Sequence, residues 1–156
     1  MSVRPLGGLK DQQLALAELG TALSLHAAAK EPAFKGRLAP PLAAQVSAEQ
    51  FAALLTNEAW LKANEVKDPA AVIAVVKAHR LFLLRRTAGL VLARLEAARA
   101  IDETAARAAF VTVMTHALGV ALTAEEGARW RVETDDFLRS ATQLEAMQQA
   151  AANPLP

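Results

Sequence analysis

Asp68-Pro69-Ala70-Ala71-Val72-Ile73-Ala74-Val75-Val76-Lys77-Ala78-His79-Arg80-Leu81-Phe82-Leu83-Leu84-Arg85-Arg86-Thr87-Ala88-Gly89-Leu90-Val91-Leu92-Ala93-Arg94-Leu95-Glu96-Ala97-Ala98-Arg99 is the stretch that decides the fold. Asp68 can cap a helix start, and proline is tolerated at the first helical position. Beyond it no breaker stronger than Gly89 intervenes, so the spacing predicts one helix of about 30 residues, roughly 45 Å long at 1.5 Å rise. Its apolar residues cover more than one face, the pattern of a central helix. Gly89 marks a close approach or a kink. Lys77, Arg80, Arg85, Arg86 and Arg94 read as a solvated stripe with apolar stems. A phosphate-binding face is the rival reading, and no aromatic interleaving supports it.

Working outward, the same helical signals recur on both sides. Leu14, Leu16, Leu19, Leu23 and His26 predict a first helix from Lys10–Asp11 to Ala29, stopped by Glu31-Pro32. A break is expected from Pro32 to Pro41, where Pro40-Pro41 favours extended backbone. A second helix is expected over about 42–55, or from Ser47 if Ser47 and Gln50 form a capping box. Thr56-Asn57 opens a short helix carrying Trp60. Asp102 and Gly119 bracket another helix. Thr123-x-x-Glu126 starts a short helix ending near Trp130, and Thr134-Asp135-Asp136 starts a last one running to Ala152. The expected fold is all-α: a single-domain bundle of about six or seven helices with a long central helix near 68–99. Residues 1–9 are expected to be a flexible lead, 10–152 the helical domain and 153–156 a tail.

Composition agrees with this and excludes several functions. The 156 residues suffice for one sizeable core, and 53% are apolar with only seven glycines and seven prolines. With no cysteine, disulfides and thiolate chemistry are excluded, which suits a reducing compartment. A net charge of +1 gives no reason to expect nucleic acid or anionic lipid as a partner. No apolar run reaches the roughly 18 residues of a membrane span, and the N-terminus lacks a signal-peptide apolar region. A cytoplasmic location is therefore expected.

Leu16-Ala17-Glu18-Leu19-Gly20-Thr21-Ala22 resembles the Leu-His-Glu-x-Gly-His-Ala zinc helix of the thimet-oligopeptidase and oligoendopeptidase F group of zinc peptidases. In such a helix two histidines four apart hold zinc and the glutamate activates water. Val46–Ala52 resembles the segment in which Glu49 would supply the third ligand. Leu55–Leu61, Asp68-Pro69 and Arg80–Ala88 are similar to the long helix after the zinc site. Ala117–Val120, Arg129-Trp130 and Asp135–Met147 are similar to the closing segment of that group. The resemblance implies descent from the catalytic lobe of such a peptidase, with the N-terminal half of the channel missing.

The departures from that pattern point to lost catalysis. Ala17 and Thr21 replace both histidines. Arg139, Thr142 and Gln143 stand where tyrosines and an arginine would stabilise the oxyanion, and the chain has no tyrosine. Zinc prefers nitrogen and sulfur ligands, so Glu18 and Glu49 would make a weak site at best. Without zinc-bound water Glu18 has nothing to deprotonate. No catalytic residue, metal or other cofactor is therefore expected.

Glu18, Thr21, Glu49, Arg139 and Gln143 are the candidates for a remnant cleft, with ordinary surface carboxylates as the plainer reading of the two glutamates. His26, His79 and His116 stand at no ligand spacing. Ser24, Ser47 and Ser140 have no visible base partner and no nucleophile elbow. Trp60 and Trp130 read as core, or as exposed recognition residues. Together with Leu144 and Met147 they are the candidate interaction surface.

The expected function is non-catalytic association with a protein partner or a second copy, without nucleic acid or membrane. A small-molecule or peptide site in the remnant cleft is the first alternative. Residual metal-dependent hydrolysis is the second.

Overall fold

The structure is a computed structural model that describes residues 7–32, 41–131 and 137–155, less the side chains of residues 41, 137 and 138. Among the described residues the chain is all-α. Seven α-helices follow in order: α1 (Leu9–Ala29), α2 (Pro41–Ala52), α3 (Glu58–Ala63), α4 (Pro69–Arg99), α5 (Glu103–Leu118), α6 (Ala124–Gly127) and α7 (Phe137–Ala152). A 3₁₀ turn at Ala53–Thr56 joins α2 to α3.

Local chemistry sets most of these ends. The Asn57 side chain accepts from the Trp60 N–H at 3.0 Å, and Asp68 Oδ1 accepts from the Ala71 N–H at 3.0 Å. Asp102 Oδ1 does the same for the Ala105 N–H at 2.8 Å. Each satisfies a backbone donor that the first turn leaves without a helical partner. Gly119 closes α5 at φ 71°, a left-handed conformation that costs glycine little, and its N–H returns to the Thr115 carbonyl. Thr123 and Glu126 form the reciprocal capping box of α6.

Two sequence expectations are corrected. Ser47 and Gln50 do not start a helix, because α2 already runs from Pro41 and Ser47 lies inside it. α6 stops at Gly127 rather than near Trp130; a turn at residues 128–129 separates it from helical Trp130 and Arg131. The break at 33–40 and the cap at Thr134–Asp136 lie outside the described residues. The first helix begins at Leu9, where the Gly7 N–H donates to Asp11 Oδ2 at 2.7 Å.

The chain divides into two compact units, one of residues up to Ala78 with Glu145 onward, the other of His79–Leu144. In the first unit, Leu55, Leu61 and Val76 are buried, with Leu9, Leu16, Trp60, Val66, Val72 and Ile73 packed on them. α1 packs along α2 and comes so near that a Cβ on Gly20 would lie 2.8 Å from the Ser47 carbonyl carbon. Only glycine fits there. Gln50 Nε2 donates to the Asn153 carbonyl at 2.6 Å, tying the end of the chain to α2.

In the second unit, Leu90, Ala93, Ala106, Phe110, Met114 and Trp130 form the core. Gly89 lets α4 and α5 approach, since a Cβ there would stand 2.6 Å from that of Ala117. The close approach read from Gly89 is therefore present. Arg131 spans back to Glu103 at 3.0 Å, and its guanidinium carbon sits 5.5 Å from the centroid of the Trp130 ring.

Candidate functional site

The peptidase-like frame falls mainly on α1 and α2. Glu18 is exposed on α1, and Glu49 is half-buried on α2. The two positions that would hold histidines are joined to each other, for the Thr21 hydroxyl donates to the Ala17 carbonyl at 3.1 Å. This is the common back-bond of a helical threonine, and it engages the Thr21 hydroxyl hydrogen. Arg139 and Gln143 lie on α7 in the second unit, the former exposed and the latter half-buried. Among the described residues no three histidine, aspartate or glutamate side chains converge as a metal site.

The candidate interaction surface is partly corrected. Trp130 and Met147 are buried, so they are packing residues and not exposed anchors. An indole ring removes a large apolar area from water when it packs, and Arg131 covers part of its face. Trp60 and Leu144 are half-buried, Trp60 against the core of the first unit.

A different surface emerges on α4. Val76, Leu90 and Ala93 are buried, but Leu81, Leu84, Leu92 and Leu95 are 40–56% exposed. An apolar pattern on several faces did not bring cover to all of them. With Ala88 these four leucines step along the helix at intervals of three and four residues, so they form one stripe. Ala88 and Leu92 of the stripe also line an open groove of about 490 Å³ between α4 and α5, together with Arg85, Gly89, Val113 and His116 among others. Arg85 Nη2 donates to the His116 carbonyl at 3.2 Å, holding that cation to its own chain at the groove edge. Sequence reasoning named these apolar residues but took them for core. The signal available was the three-four spacing itself, which separates 81, 84, 88, 92 and 95 from the inward set.

Electrostatics adds little chemistry. Hydrogen bonds from the Thr123 N–H and hydroxyl hold the Glu126 carboxyl below the usual carboxylate range, and Lys62 does the same for Glu58. Both glutamates are exposed cap or i,i+4 partners, the roles of helix maintenance.

These features define a class: an all-α protein with an exposed leucine stripe on its longest helix. Compared with family models, with curated proteins and with solved structures, the chain matches none. Among the described residues no helix is long and apolar enough to cross a membrane.

Proposed function

We propose that this chain is a non-catalytic helical protein that works by association, with a second copy of itself as the partner. The exposed leucine stripe on α4 carries the reading. Contiguous apolar surface of that kind marks interaction sites in soluble proteins, or becomes an aggregation liability if left bare. The peptidase-like frame belongs to the same reading. Ala17 and Thr21 supply no imidazole, and the Thr21 hydroxyl is engaged with the Ala17 carbonyl. A lobe of that ancestry keeps apolar surface that another chain can cover.

The test is mass in solution. Light scattering behind size-exclusion chromatography, run over a wide concentration series, is expected to show a mass above that of one chain, falling toward it on dilution. A single-chain mass throughout overturns the reading.

A further inference from the structure

We infer that the groove between α4 and α5 is a binding site for a small amphipathic carboxylate, one with a medium-length alkyl body. It lies within the second unit and does not depend on how copies associate. α5 follows α4 after the short turn at residues 100–102 and runs back beside it, so Arg85 meets His116 and Gly89 meets Ala117. Gly89 and Ala117 bring the helices together and close the groove's floor. The volume of about 490 Å³ is that of an ordinary ligand site, whose walls are mostly apolar with a few polar groups fixing orientation.

Here the polar groups gather at one end. Arg85 and His116 are exposed at that end, and Leu92 and Val113 line the other. The Thr112 hydroxyl, also toward the apolar end, donates to the Ala108 carbonyl at 2.9 Å. Arg85 uses only one of its five donors within the chain, in the 3.2 Å bond to the His116 carbonyl. That bond and the Gly119 N–H cover two of the carbonyls that end α5, whose partial negative charge would otherwise oppose an anion. The same bond holds the guanidinium at the groove edge, where its other donors suit the planar fork of a carboxylate. A cation there would meet Arg85, and a neutral body would leave that charge unpaired. Arg85 to Leu92 spans seven residues, about 10.5 Å at 1.5 Å rise, which is the length of extended n-octanoate.

Calorimetric titration of dilute protein with n-octanoate is expected to show one site per chain. n-Octanol and n-octylammonium should bind at least about tenfold more weakly, the scale of a hydrogen bond to a charged group. Arg85→Gln should weaken octanoate by a similar factor and leave octanol unchanged, while Arg85→Lys retains part of the affinity. Ala88→Phe fills the groove from α4 and leaves Arg85 in place, so it should abolish octanoate binding with the circular dichroism unchanged. No saturable octanoate binding overturns the inference, and so does equal affinity for octanol. Octanoate binding that neither Arg85→Gln nor Ala88→Phe alters also overturns it, placing the ligand elsewhere. Mass in solution is read separately, so loss of this site leaves the association reading standing.

Discussion

The two units solve the same problem, the close packing of two helices, by different means. In the first, α1 meets α2 through bare backbone at Gly20, the one buried residue of α1, while Leu14, Leu19, Leu23 and Leu25 stay exposed. In the second, α4 meets α5 at Gly89, but Phe110, Met114 and Trp130 fill the space around the crossing. Proximity and cohesion are thus separate properties. A helix can lie very near its neighbour while removing little apolar surface from water, and the hydrophobic contribution scales with that surface. The first unit depends on a fit that an added methyl would spoil. The second depends on volume that a lost ring would empty.

Emptying the second unit should have the larger effect. Phe110→Ala is expected to cost about 3–5 kcal/mol, the range for a truncated buried ring, read as a lower midpoint in urea unfolding. A cost below about 1 kcal/mol would mean the second core is not the cohesive one.

Gly20→Ala tests the first unit from the opposite side. Alanine favours a helix over glycine by up to about 1 kcal/mol, yet the new methyl would press on the Ser47 carbonyl, which no rotamer change can clear. The net expectation is a loss of about 1–3 kcal/mol, as for overpacking. Amide exchange should quicken along Leu9–Ala29 and Pro41–Ala52 and stay slow in α5. Net stabilisation would erase the contrast between the units.

The smallest effect concerns the caps of the second unit. Hydrogen bonds from the Thr123 backbone and hydroxyl lower the folded-state pKa of Glu126 from its ordinary 4.5. Its contribution is therefore complete above that value and is lost as pH falls through the lower folded value. Melting temperature followed from pH 6 down to about 3 should fall less steeply in Glu126→Gln than in the parent. Equal slopes would show that the box adds nothing at this exposed position.

Much of the fold was legible because it is local. Asn57, Asp68-Pro69, Asp102, Gly119 and Thr123 with Glu126 act within four residues of themselves, and each does what its type and position predict. Ser47 with Gln50 misled for the same reason in reverse: a cap pattern inside a continuous helix has no free N–H to satisfy. The candidate site was harder to read. Which leucines of α4 are covered depends on where α5 passes, and the Ser47 backbone that makes Gly20 a point of close approach lies on another helix. Arg85 and the His116 carbonyl are joined across 31 residues, a distance no local pattern spans. Trp130 reads first as core, and Phe110 and Met114 are the core neighbours it packs with.

The placement of the two tryptophans has an optical consequence. Trp60 lies against the core of the first unit and Trp130 within that of the second, and the chain holds no tyrosine to contribute emission of its own. Trp60→Phe therefore leaves a fluorophore reporting only the second unit, and Trp130→Phe one reporting only the first. The stacked Arg131 cation gives the second a distinct quenching environment. Two denaturation curves from two such chains would superimpose if the units melt together, and would part if each unfolds by itself.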